Sequence, residues 1–215
     1  TQDRPLVTGE VSPREALGLA AVLVLVAFLL VLTTNPTTVL WSVGAVCLAA
    51  LYPFMKRVTH MPQLFLGLAF SWAIPMAYTA QGVAVNPVTW VLFLSAISWI
   101  MAYDTLYAMV DRDDDLTIGI KSTAILFGEA DKLVVGVLQG VFLLGMWLAG
   151  TMTASGPAYF LGLLGALGCF AWQQYLIRHR ERGPCFKAFL HNHWVGLCVF
   201  VGVVVDRTVL PLLFG

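Results

Sequence analysis

The chain has 215 residues, a net charge of zero, 59% hydrophobic residues and only 11% charged ones. An ordinary soluble domain carries about 25% charged residues; here, with a mean hydropathy of +0.83, too few polar side chains remain to cover a water-facing surface. The balanced charge excludes a global attraction to nucleic acid, so no nucleic-acid partner is expected. The expected fold class is all-α, a polytopic transmembrane helix bundle.

The chain opens in the polar stretch Thr1-Gln2-Asp3-Arg4-Pro5-Leu6, with neither an initiator Met nor a signal peptide, and is read as N-terminally incomplete. Seven apolar runs follow, each long enough to span a bilayer: residues 16–32, 38–55, 63–80, 88–110, 133–150, 157–177 and 194–213. The connections 33–37, 81–87 and 151–156 contain no charged residue. The segments 1–15, 56–62, 111–132 and 178–193 hold every Lys and Arg except Arg207. By the positive-inside rule these four segments face the cytoplasm and the C-terminus lies on the far side. The four cysteines (Cys47, Cys169, Cys185, Cys198) have no metal-binding or redox spacing and are read as unpaired. No spacing makes metal ligands of His179, His191 and His193.

The fourth run ends in the most informative segment. Asp104 lies within it, and Asp111-Arg112-Asp113-Asp114-Asp115 follows at its mouth. On a helix, Asp104, Asp111 and Asp115 fall within about 40° of one another. Asp113 lies on the opposite side and Asp114 well off the stripe. Carboxylates at a membrane boundary are costly, and a shared divalent cation is the natural reason for them. Asp111 and Asp115 can share one hard cation such as Mg²⁺, leaving positions for water and substrate phosphate. Lys121, six residues on, suits a diphosphate as a point charge. A solvated acidic helix end would carry similar residues, but Asp104 sits too deep for that.

The segment Tyr52-Pro53-Phe54-Met55-Lys56-Arg57 is a second candidate. Tyr52 and Lys56 share a face if the helix continues past Pro53, and the Arg57 fork suits a carboxylate or a phosphate. Topology alone would also place Lys and Arg here. The basic run Arg178-His179-Arg180-Glu181-Arg182 is read as interfacial anchoring. The aromatic residues are mostly a lipid-facing or interfacial belt, a few of them able to line a cavity and stabilise a carbocation.

The residues from Tyr103 to Asp115, continuing into Gly119-Ile120-Lys121-Ser122-Thr123-Ala124, resemble the second aspartate-rich motif of the UbiA superfamily of intramembrane prenyltransferases. Tyr52-x-x-x-Lys56 is similar to its YxxxK element. Arg4-Pro5-Leu6, with Gly9 and Val11-Ser12, resembles the segment after its first aspartate-rich motif. Tyr52–Arg57, Met61-Pro62-Gln63 and Ala73-Ile74-Pro75-Met76-Ala77 resemble the 4-hydroxybenzoate polyprenyltransferase branch. The resemblance implies a nine-helix fold of which the seven spans match the last seven, in one transmembrane prenyltransferase domain covering residues 1–215. The first motif, of the form NDxxDxxxD, is absent from the sequence, so the first two helices and half the metal site are expected to be missing and the 215 residues alone to be silent.

The activity implied is Mg²⁺-dependent transfer of a polyprenyl group from polyprenyl diphosphate to the carbon ortho to the hydroxyl of 4-hydroxybenzoate, in ubiquinone biosynthesis. The implied place is the bacterial inner (cytoplasmic) membrane, with the lipid bilayer as partner and the site facing the cytoplasm. Asp111 and Asp115 are then metal ligands, and Lys121, Lys56 and Tyr52 meet the diphosphate. Arg57 is the candidate for the benzoate carboxylate, and Asp104 organises the site or meets the phenol. The alternatives are another acceptor (homogentisate, a naphthoate or haem) and a cation transporter using the Asp stripe.

Overall fold

The computed structural model describes residues 4–214, without the side chains of Lys56, Leu213 and Phe214. The chain runs through α1 (Pro5–Thr8), α2 (Pro13–Leu32), α3 (Pro36–Val58), α4 (Pro62–Ser71), α5 (Ala73–Ala80) and the long α6 (Pro87–Ile118). Then come α7 (Thr123–Phe127), α8 (Asp131–Met152), α9 (Pro157–Leu176), α10 (Arg182–Leu190), α11 (Asn192–Val204) and α12 (Leu210–Phe214). Several helices start on a proline, whose missing N–H costs nothing at the first position and whose fixed φ is already helical. Ser12 and Glu15 close a capping box on α2. Asn35 caps α3 at the Thr38 amide (3.0 Å) and ties it to α5 by donating to the Thr79 carbonyl (2.6 Å).

Six helical stretches among the described residues are long and apolar enough to cross a membrane. The third apolar run of the sequence, 63–80, instead folds as α4 and α5, broken at Trp72. Pro75 explains the break: it offers no N–H to the Ser71 carbonyl, and its ring crowds that carbonyl. The Trp72 indole bridges the bend to α3 by donating to the Trp41 carbonyl at 2.9 Å. Pro211 acts similarly on the last run, where the helix widens into a π-turn at Val205–Val209. That turn aims Asp206 at the Gly156 amide (2.9 Å) and Arg207 at the Thr153 carbonyl (2.7 Å). Arg207, the one basic residue outside the four basic segments, thereby fastens the loop between α8 and α9.

The central element is α6, which packs against α4, α8 and α10. Its neighbours approach closely because the contacts are small: Ala102, Ala108, Ala124 and Ala188 are buried around Leu106 and Val135. α2 is the opposite case. None of its residues is buried and it presents Leu23, Val26, Leu29 and Leu30 outward, which suits lipid and not water. Between α8 and α9, Gln139 donates to Gln173 (2.8 Å) and accepts from Gln174 (3.0 Å), a polar contact that holds two apolar helices in register.

The charge pattern makes the sidedness testable. Cysteines introduced in 81–87 and in 111–132 should react with a membrane-impermeant maleimide from opposite sides of oriented vesicles. Labelling of both from one side would refute the topology.

Candidate active site

α6 extends two to three turns beyond its apolar part and stops at Gly119, whose φ of +71° is left-handed. That conformation costs glycine nothing and lets the 119 and 120 amides close on the Asp115 carbonyl. The chain then doubles back, so Lys121 and Ser122 return toward the helix face they just left. Together these elements enclose a cavity of about 400 Å³.

Asp104, Asp111 and Asp115 all line it, with Lys121 and Ser122 from the returning segment, Tyr52 from α3 and Gln63 from α4. All three carboxylates are half-buried. Lys121 Nζ donates to the Val58 carbonyl at 3.4 Å, which draws the α3 end and the 119–122 turn together. A larger hollow of about 550 Å³ lies beside Asn35, Trp41, Thr79 and Val83, but no ionisable side chain lines it. The chemistry is concentrated in the first.

The helical stripe expected from spacing is therefore present. Asp113 and Asp114 are exposed and turned away, bonded to Arg182 at 3.3 and 3.0 Å. Tyr52 is in place, and α3 does continue past Pro53, so position 56 lies one turn from it; the Lys56 side chain is outside those described. Arg57 is exposed and is not among the residues lining the cavity. From there its side chain reaches a bound acid only by swinging inward.

Six lining residues were not singled out from the sequence as site residues: Arg4, Gln63, Tyr107, Ala108, Ser122 and Phe189. Tyr107 lies one turn short of Asp111, and that spacing was a usable signal. Gln63 and Phe189 arrive from distant segments and carried none. Tyr107 and Phe189 meet at a centroid distance of 5.1 Å, and the aromatic wall continues through Tyr103 to Trp99.

The basic segment 178–182 does more than anchor the chain at an interface. Arg180 Nε donates to both oxygens of the fully buried Asp131 (2.8 and 3.1 Å) at the start of α8, and the Lys132 amide adds a third bond at 2.6 Å. The bond to Asp131 raises the Arg180 pKa, so the guanidinium stays charged. Arg182 clasps the α6 end through Asp113 and Asp114. The segment is thus fastened to the start of α8 and touches the end of α6.

Among the described residues no group of three or more His, Cys, Asp or Glu side chains could hold a metal ion by itself. Asp111 and Asp115, one helical turn apart in the cavity wall, are hard oxygen donors of the kind taken by a divalent cation that keeps water and substrate phosphate in its shell.

The chain is 55% identical over 209 residues to a 4-hydroxybenzoate octaprenyltransferase of Pseudomonas syringae pv. syringae, covering 97% of this chain and 71% of that one. It is 58% identical over 206 residues to the enzyme of the same name from Alkalilimnicola ehrlichii, covering 96% and 70%. A UbiA homolog from Aeropyrum pernix K1 has the same fold, with a TM-score of 0.82 at 22% identity over 95% of this chain and 76% of that one. The model of the UbiA prenyltransferase family matches residues 1–196, and the chain belongs to that family.

Proposed function

We propose that this membrane protein catalyses transfer of a polyprenyl group from polyprenyl diphosphate to the carbon ortho to the hydroxyl of 4-hydroxybenzoate, a step of ubiquinone biosynthesis. The convergence of Asp104, Asp111, Asp115 and Lys121 on one cavity at the end of the central helix carries the reading. Relatives at 55% and 58% identity bearing the corresponding name support the choice of acceptor. The site faces the cytoplasm of a bacterial inner membrane, consistent with the basic segments around it.

Asp111 and Asp115 would hold Mg²⁺, which when bound supplies Lewis-acid neutralisation of the diphosphate leaving group. Lys121 adds a fixed positive charge where negative charge grows as the allylic C–O bond breaks and its electron pair leaves with the diphosphate. Tyr52 borders the same end. Tyr107 and Phe189 present π-faces to the allylic cation and keep water from it. The ring carbon ortho to the phenolic hydroxyl forms the new C–C bond and then loses its proton to the released diphosphate, which restores the aromatic ring. Asp104, two turns deeper than Asp111, faces the phenol and orients the ring.

The family resemblance implies a second set of carboxylates, NDxxDxxxD, that would act on the same diphosphate. Activity is therefore assayed in protein joining this chain to a segment with that motif, the two-motif protein. Given Mg²⁺, a polyprenyl diphosphate and separate acceptors, it should prenylate 4-hydroxybenzoate at the ortho carbon, read by mass spectrometry. Preference for homogentisate, a naphthoate or haem would overturn the acceptor. Metal flux in proteoliposomes without diphosphate dependence would favour a transporter, although transporter sites generally lie near the bilayer midplane and these carboxylates lie at one edge.

A further inference from the structure

Ser122 stands immediately before α7, where a serine ordinarily caps the helix by accepting from a first-turn amide. Here its side chain makes no capping bond. The Thr123 amide, the first of α7, donates to Gln63 Oε1 at 3.2 Å. The residue is 3% exposed, and its hydroxyl has no hydrogen-bond partner among the described residues. A buried hydroxyl left this way is costly, and native structures rarely keep one without a reason.

The surroundings point to the reason. Ser122 lines the carboxylate cavity beside Lys121. The residue that follows it, Thr123, is held at two points. Gln63 grips the next amide, and Thr123 Oγ1 bonds Thr105 Oγ1 on α6 at 2.8 Å. Thr105 is in turn tied to the Met101 carbonyl at 2.6 Å. The hydroxyl is therefore pre-positioned, and its helix does not use it.

We propose that Ser122 is a substrate-binding residue whose hydroxyl donates to an oxygen of the prenyl diphosphate, in the cavity that Lys121, Asp111 and Asp115 also line. This rests on the diphosphate-transfer reading above. Gln63 is a positioning residue, since its bond to the Thr123 amide fixes the backbone next to Ser122. The carboxylate of the acceptor offers similar oxyanion chemistry, but the adjoining Lys121 and the cation-binding carboxylates favour the more highly charged diphosphate.

The test uses the two-motif protein and magnesium pyrophosphate, with affinity measured by calorimetry. Ser122→Ala should weaken pyrophosphate binding about tenfold, the loss expected for a hydrogen bond to a charged group. It should raise KM for polyprenyl diphosphate and leave KM for 4-hydroxybenzoate unchanged. Thermal stability without ligand should not fall, because the lost hydroxyl satisfied nothing. Ser71→Ala is the control: its hydroxyl is also buried and unpartnered, but it does not line the cavity, and pyrophosphate affinity should be unaltered. Equal pyrophosphate affinity in Ser122→Ala and the unsubstituted protein would overturn the proposal. So would a change confined to 4-hydroxybenzoate, or a loss of stability without a loss of affinity. If the unsubstituted protein itself fails to bind pyrophosphate, the diphosphate reading falls and this proposal with it.

Discussion

Asp111→Asn and Asp115→Asn in the two-motif protein should each lower turnover by a hundredfold or more and raise the Mg²⁺ concentration needed for half-maximal rate. Both carboxylates line the cavity one helical turn apart. Removing one leaves the diphosphate charge less compensated as the leaving group departs, and single electrostatic partners of this kind are worth about 3 to 4 kcal/mol. The amide is nearly isosteric, so packing on α6 should survive and the loss can be assigned to charge. Asp113→Asn is the internal comparison. It removes a carboxylate only two residues away, but one that is exposed and bonded to Arg182 outside the cavity. Exposed pairs contribute little to stability, so its turnover should stay within a few-fold. Steady-state rates across a Mg²⁺ titration decide the matter. A comparable loss at Asp113 would mean that total acidity, and not the helical stripe, governs the site.

Lys121→Gln should lower kcat/KM for polyprenyl diphosphate about a hundredfold while leaving KM for 4-hydroxybenzoate within a few-fold. Lys121 is half-buried in the cavity wall. Its bond to the Val58 carbonyl is long, at 3.4 Å, so little holds the ammonium back from a stronger acceptor. Glutamine removes the charge and shortens the side chain, so thermal stability reports any lost bracing of the turn while the kinetics report stabilisation of the diphosphate. A fall in thermal stability with unchanged kinetics would assign Lys121 to bracing alone. Arg57→Ala, measured alongside, should change neither constant by more than a few-fold, because Arg57 does not line the cavity. An isolated rise in KM for 4-hydroxybenzoate would instead restore Arg57 as the partner of the acceptor carboxylate.

Much of this site was legible without coordinates, for a reason peculiar to helices. Residues seven and eleven apart share a face whatever else the protein does, so Asp104, Asp111 and Asp115 could be grouped, and Asp113 set aside, from periodicity alone. The apolar runs and their charge-free or basic connections were readable on similar grounds, since a bilayer demands long apolar helices. The break at Trp72 lay within reach, given Pro75, but an apolar run with one proline can as easily continue, as α3 does through Pro53. Contacts between distant segments had no sequence signal. Nothing near Gln63 indicates that its carboxamide will bond the first amide of a helix 60 residues later, nor does Arg182 announce Asp114 as its partner. The second pairing arises because small side chains such as Ala102, Ala108 and Ala188 let α10 close on α6. The sequence by itself determined the membrane helices, their charge pattern and the carboxylate face; only tertiary packing decided which aromatic, amide and hydroxyl groups that face would meet, because close packing between helices depends on side chains from both partners at once.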